Sequence, residues 1–474
     1  MHTKHVGRSV RPGLGRRLLP AVLLLTLSCS LIEGGAATMA NRSGVDGLSP
    51  TETTRPTSTP LVPADIPVEC QGLPLATVGP TQAGAATPTP EANPPLTGDE
   101  QQAVAEELIR TVEDVYVAPE SLGTQWRAAG ASLRQHIAVG LDTEVFYSEL
   151  QHLIDGLGDE HSDFQSPSDV VAADASLAGV ANQVGIGVQA EFIPEAGVIT
   201  LLRVFEESPA AKAGLHPHDN LLTVDGAPLI QAGVPEYWRL RGPECTMLVV
   251  SVASPGEPAR QVAVVRHRYS VEQAIDTHLL PTAGGERIGY IYLPSFYDQR
   301  IPLEIEAALQ VFGPLEGLII DNRMNSGGSS TVVEPTLGLF TSGTLGQFVS
   351  REGERPLRIE PHEVHNSQSV PLVVLIGPDT VSFGEIFSGI LQDTGRATLV
   401  GETTAGNVET LHGYTFEDGS RLWIAQERFL PSGSGMNWEG VGVQPDVEVV
   451  AAWHTFTAEN DPVIAAAVQL LTGE

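Results

Sequence analysis

The stretch Pro371–Ala405, PLVVLIGPDTVSFGEIFSGILQDTGRATLVGETTA, decides how this chain is read. Leu372–Ile376 is a continuous apolar run of the kind a strand covered on both faces shows. It breaks at Gly377-Pro378-Asp379, and a helical pattern begins directly after Ser382. Ser382 therefore stands at the first turn of a helix, just past the end of a buried strand. The leading N–H groups there have no intrahelical partner and the helix dipole is positive. Such a place suits an alkoxide nucleophile and the oxyanion it generates. Serine is also a residue type that helices favour as a plain N-cap, so position alone does not choose between cap and nucleophile.

Three further stretches bear on that choice. Leu318–Gly328, LIIDNRMNSGG, repeats the pattern of a buried strand ending in an acid, Asp321, followed by a short turn and paired glycines. Gly327 and Gly328 let the backbone approach a ligand closely and can aim N–H groups at a developing negative charge. Leu157–Asp163, LGDEHSD, puts His161 in a polar loop after a helical pattern. Asn437–Asp446, NWEGVGVQPD, puts Glu439 in a glycine-rich turn before a strand.

With 474 residues, the chain is long enough for two or three domains with cores of their own. Its 58 acidic against 26 basic residues repel a phosphate backbone, which argues against a nucleic-acid partner. Thirteen histidines but three cysteines give no Cys/His cluster at zinc spacing. Neither HExxH nor a phosphate-cradling GxxxxGK[ST] occurs.

The N-terminus reads as an export signal: Lys4, Arg8, Arg11, Arg16 and Arg17 precede the apolar run Leu18–Leu27, short for a membrane span. Cys29 follows in LTLSC, which resembles a bacterial lipoprotein signal whose cysteine is lipidated; Thr26 is atypical there, and cleavage near Ala36–Ala40 is the alternative. Residues 1–28 are accordingly expected to be removed. Residues 29–97, rich in Thr, Pro, Ser, Ala and Gly, bury too little apolar surface to order themselves and read as a tether. Cys70 and Cys245 remain, an even pair in an oxidising compartment but in separate segments, so a disulfide is weakly indicated.

The folded part is expected in three pieces. Residues 98–165 carry helical stripes (Ala103, Leu108 and Val112; Leu133 and Ile137; Phe146, Leu150, Leu153 and Ile154) and read as a small helical cap. Residues 168–268 switch to short β runs with Gly/Pro turns around the helix SPAAKAGL. From 269 to 474 strands alternate with helices, an α/β layer with partly parallel pairing.

These residues together resemble the tail-specific, or carboxyl-terminal processing, serine proteases and their tricorn-like relatives, from about Gly98 to Val450. The resemblance implies an α/β fold: a helical cap, a PDZ-like β domain and a crotonase/ClpP-like α/β protease core. The middle segment resembles a PDZ domain, with Gly185-Ile186-Gly187-Val188 as its peptide-end loop; Cys245 departs from the Arg-Gly-Pro-x-Gly-Thr pattern usual there. Asp321–Gly328 matches Asp-Leu-Arg-x-Asn-x-Gly-Gly, with Asn322 in place of Leu. Val381–Glu385 falls on the nucleophile segment Ser-Ala-Ser-Glu.

In the processing-protease branch a lysine activates the serine. Asn407 stands at that position here, and an amide cannot take the proton. The only lysines are Lys4 and Lys212, neither in the α/β core. The tricorn-like branch uses histidine with a supporting glutamate, and the resemblance assigns these roles to His161 and Glu439. Imidazole can take the Ser382 proton and pass it to the leaving amine. The carboxylate orients the ring, directly or through a hydroxyl such as Ser162. His412 is the rival base. Asp393 matches an acidic position near the absent lysine and reads as structural.

The expectation is an exported serine endopeptidase acting on peptides or unfolded protein tails. Its oxyanion hole would be built from the N–H of Phe383 and one of Gly327 or Gly328. No metal or organic cofactor is implied, and membrane contact would come only through the lipidated Cys29. The alternatives are a catalytically inactive PDZ-type module that binds peptide ends and a small-ligand-binding relative.

Overall fold

The computed structural model describes residues 62–73, 93–159, 161–177, 183–270 and 275–473. The expected signal at 1–28, Cys29 and much of the 29–97 tether lie outside these residues. No helix among the described residues is long and apolar enough to cross a membrane.

The apolar runs assemble into a six-stranded sheet in the order Asp276–Leu280, Ile288–Tyr292, Gly317–Asp321, Leu372–Ile376, Thr398–Gly401 and Val447–Glu448. The first pair is antiparallel and every later pair parallel. Parallel strands need cover on both faces, which is why these segments are apolar throughout. One face buries Ile291, Leu318, Ile320, Val374 and Ile376 together with residues of the helices Ile301–Phe312, Ser330–Phe340 and Phe383–Asp393. The other buries Tyr290, Ile319, Val373 and Leu375 with Val463 and Ala467 of the last helix, Pro462–Thr472.

A second, antiparallel sheet was not foreseen from sequence. It joins Asp163–Gln165, Arg421–Pro431, Gly343–Ser350 and Gly353–Ile359, with Thr410–Thr415 paired to Arg421–Pro431. The expected cap exists as the helices Gly98–Val115, Thr124–Val139 and Thr143–Asp155. These helices share one hydrophobic core with Phe416, Leu422, Ile424 and Ala425 of the second sheet. The His161 loop is consequently tied at both ends: a cap helix precedes it, and the strand after it pairs Asp163 with Trp423.

The middle segment is a six-stranded antiparallel sheet with Val188–Ile193 at one edge. Its first strand is Val188–Ile193, and residues 167–177 form a helix, so the expected boundary at 168 falls inside that helix. Cys70 is disulfide-bonded to Cys245, joining the segment 62–73 to this domain. Cys245 holds φ +61°, the left-handed conformation that glycine adopts most readily, at the place where the resemblance expects glycine. On the other side His218 stacks on Trp453 at 4.8 Å, and Asn220 Nδ2 donates to the His454 carbonyl at 3.1 Å.

Gly389 lies on the helix after Ser382 where the Trp438 ring seats against it; a Cβ there would come within 2.4 Å of the indole. Gly389→Ala should therefore overpack this contact and cost roughly 1–3 kcal/mol, read as a lower midpoint of denaturant unfolding. An unchanged midpoint would mean that the Trp438 turn moves aside freely.

Candidate active site

Parallel neighbours end on the same side of a sheet. Asp321 pairs with Leu375, so the segments leaving Gly317–Asp321 and Leu372–Ile376 emerge side by side. They are laced together: Val381 N–H donates to the Asn325 carbonyl at 2.9 Å, and Thr380 Oγ1 to the Asn322 carbonyl at 2.9 Å. The carboxyl ends of such strands are where open α/β sheets commonly place their ligands. Beneath this edge Arg323 pairs with Asp321 at 2.6 Å and Asp461 at 2.7 Å, all three buried. Burial alone would raise the Asp321 carboxyl, but Arg323 and the Tyr290 hydroxyl more than offset it and hold it below its ordinary range.

Ser382 is not an ordinary N-cap. Cap residues sit in the β region, whereas Ser382 has φ +56° and ψ −124°. A non-glycine residue reaches such a conformation only at a cost of order 1–3 kcal/mol, which surrounding contacts must impose. The imposing group is the carboxylate of Glu385, three residues on. It accepts the N–H groups of Ser382 at 3.2 Å, Asn407 at 2.8 Å and Gly406 at 2.7 Å, and the Thr404 hydroxyl. Ser382 N–H is shared with the Asn407 carbonyl at 2.8 Å. Glu385 is fully buried, and burial raises its carboxyl despite these donors. Gly327 faces the serine directly: a Cβ there would lie 2.7 Å from Ser382 Cβ, and its φ of +82° is a glycine conformation.

His161 and Glu439, distant in sequence, come together. His161 Nε2 lies 3.4 Å from Glu439 Oε2, and the imidazole is almost wholly buried. The same oxygen accepts the N–H groups of Val408 at 2.9 Å and Glu409 at 3.2 Å. The backbone therefore runs without a break from Glu439's donors through Asn407 to the serine N–H. Among the described residues Nε2 itself has no hydrogen-bond partner. Ser162 does not bridge the pair: its hydroxyl donates to Asp159 at 3.0 Å and accepts the Ala425 N–H at 3.1 Å. Asp159 also caps His161 N–H at 3.1 Å, fixing the loop.

The other expected residues are accounted for as follows. Gly327 N–H is already taken by Asn325 Oδ1 at 2.9 Å, so of the two expected glycines Gly328 remains as a candidate donor. Gly185–Val188 lies in the middle domain; the Ile186 carbonyl accepts from Ala210 N–H and that of Gly187 from Phe205 N–H. His412 Nε2 pairs with Glu427 at 3.3 Å. Asp393 accepts the Gly433 and Ser434 N–H groups at 2.7 and 2.8 Å, a structural task. Sequence reading gave no role to Glu385, although Ser-x-x-Glu is itself a capping-box signal. It missed Glu409 and Arg428, which stand in no motif.

Residues 287–449, from the second strand of the main sheet to just past its last, match peptidase family S41. The carboxyl-terminal-processing protease of Picosynechococcus sp. is 30% identical over 300 residues, 61% of this chain and 70% of that relative. The enzyme of the same name from Synechocystis sp. is 29% identical over 297 residues, 61% and 68% of the two chains. The chain belongs to peptidase family S41. The solved photosystem II D1 C-terminal processing protease shares the fold, with TM-score 0.52 and 24% identity over 74% of this chain and 93% of that one. As an S41 member the protein is a serine-type peptidase of the carboxyl-terminal processing kind.

In this S41 peptidase Glu385 needs four acceptor positions, and an amide side chain has an NH2 where one carboxylate oxygen stood. Glu385→Gln should set donor against donor at Gly406 or Asn407, costing roughly 1–3 kcal/mol together with most of the peptidase activity. Wild-type stability and turnover in this variant would show that the Ser382 turn holds without it.

Proposed function

We propose that this S41 peptidase is an exported endopeptidase that cleaves peptides or unfolded protein tails by Ser-His-Glu acyl-enzyme chemistry. Ser382 is the nucleophile, His161 the base and Glu439 the carboxylate that orients the ring. The observation that carries the reading is the approach of buried His161 to Glu439, on a backbone segment bonded to the serine's own N–H. Asn407 at the lysine position of the processing branch supports it, as does the placement of Lys212 beside Glu207 in the middle domain.

In the proposed cycle Ser382 Oγ attacks the scissile carbonyl and its proton passes to His161. The N–H groups of Phe383 and Gly328 take the oxyanion. The imidazolium, held by Glu439, returns the proton to the leaving amine, and water then hydrolyses the acyl-enzyme with His161 again as base. The imidazole must close on Ser382 for the first transfer, a contact that commonly tightens only on bound substrate.

The middle domain is proposed to be PDZ-like and to capture the free end of the substrate chain at Gly185–Val188. Its edge strand Val188–Ile193, paired on one side only among the described residues, can add a peptide strand. The basic, apolar N-terminus supports export, with lipidation of Cys29 as the proposed anchor.

Ser382→Ala should lower cleavage of casein or an unfolded peptide by at least roughly a thousandfold with the fold intact. His161→Ala should cost about as much, because members of a catalytic unit act together, and Glu439→Gln less. Near-normal turnover of His161→Ala, with loss in His412→Ala, would move the base to the other loop.

End capture is tested separately on the inactive Ser382→Ala protein. Amidating a model peptide's C-terminus should weaken its binding; equal affinity for acid and amide would exclude recognition of the free end.

A further inference from the structure

Next to the His161–Glu439 pair lies a second buried carboxylate with no part in the cycle above. The Glu409 side chain is 5% exposed, and its Oε1 accepts from Arg428 Nε at 3.0 Å. Its own N–H donates to the Glu439 oxygen that faces His161. Glu409 and Arg428 come from the second sheet and its approach, and Glu439 from the turn after it. The Glu409 backbone and the His161 ring thus meet at one Glu439 oxygen, and Arg428 pairs with the Glu409 side chain. We propose that Glu409 is a positioning residue for His161, adding a second negative charge that steadies the imidazolium formed during turnover while Arg428 keeps that charge ionised in the interior.

The physical case starts from what an isolated buried carboxylate would do. Burial raises the Glu409 carboxyl; Arg428 and the imidazole of His161 pull it back, and the Glu439 charge adds to the rise. Without Arg428 it would tend to take up a proton and lose its charge. Among the described residues, Asp159 on the His161 loop and Tyr116 at the end of the first cap helix also face this cluster. The Tyr116 hydroxyl, hydrogen-bonded to Asp159 and facing Glu409, is pushed well up by its burial. On the outer side Glu120 lies 4.0 Å from Arg428. Glu439 touches the ring and orients it. Glu409 acts through charge and through its N–H, without touching substrate.

This inference rests on His161 being the base, and its test keeps the two apart. In the full chain, kcat and KM are measured against pH for Glu409→Gln. Loss of the negative charge makes the imidazolium easier to discharge, so the acid limb should move down by roughly one pH unit. The plateau kcat should fall with KM unchanged. Adding Arg428→Gln removes the opposing charge and should bring the limb back toward the wild-type position. The milder Glu409→Asp, which retracts the carboxylate by one methylene, should move the limb the same way by less. If turnover is too slow to follow, the pH dependence of Ser382 acylation by an activated ester reads the same limb. A merely structural role would lower stability and plateau but leave the limb in place. An unmoved limb in whichever of the two Glu409 variants folds overturns the proposal. Full activity of His161→Ala would instead remove the reading beneath it.

Discussion

Everything at the candidate site depends on one buried carboxylate. Glu385 holds Ser382 in a backbone conformation that serine avoids, and with the same two oxygens fastens the segment Thr404–Asn407 against it. That segment continues into Val408 and Glu409, whose N–H groups anchor Glu439. A single acceptor thereby fixes both the nucleophile turn and the scaffold of the carboxylate facing His161. Removing it would leave the unfavourable φ of Ser382 held by the Asn407 carbonyl alone. Four donors on one carboxylate also explain why Glu385 can be fully buried, since an ionised group tolerates an interior only when hydrogen-bonded.

The site lies between two sheets that contribute different things. The parallel sheet delivers Ser382 and the paired glycines at its carboxyl edge, rigid because both faces are covered by helices. The antiparallel sheet, backed by the helical cap, delivers the histidine and the charges around it. Correct register of the two sheets is therefore a condition for the proposed proton transfer. The contacts of Gly389 with Trp438 and of Glu385 with Asn407 maintain it. The middle domain is seated on the C-terminal segment through His218 and Trp453, whose indole also lies 5.0 Å from the Arg323 guanidinium. A continuous run of contacts thus links that domain to the segment bearing Gly327 and Gly328.

Much of this was legible in the sequence, for identifiable reasons. Leu318–Asp321 and Leu372–Ile376 announced themselves because parallel strands covered on both faces must be apolar throughout. The cap helices were visible in their 3.6-residue stripes. The antiparallel sheet was missed because its strands are half exposed and mix charges with apolar residues, as in RLWIAQERFLP. The backbone of Ser382 could not be read, since a serine before a helix predicts the ordinary cap. His161 and Glu439 were connected only through the family resemblance; no local pattern joins residues so far apart. Glu409 gave no signal, because its significance lies in burial beside Arg428 and not in any spacing. Count and compartment raised the Cys70–Cys245 pair, but only the fold brings the two together.

Ser382, strained and held by Glu385, is proposed as the residue acylated during turnover. This role is tested most directly by treating the full-length protein with a fluorophosphonate and mapping the adduct by peptide mass spectrometry. The expected result is one phosphonylated site, Ser382, with loss of peptidase activity in proportion to labelling. An adduct on a different serine, or an unlabelled Ser382 in a protein whose activity the reagent has abolished, would contradict it.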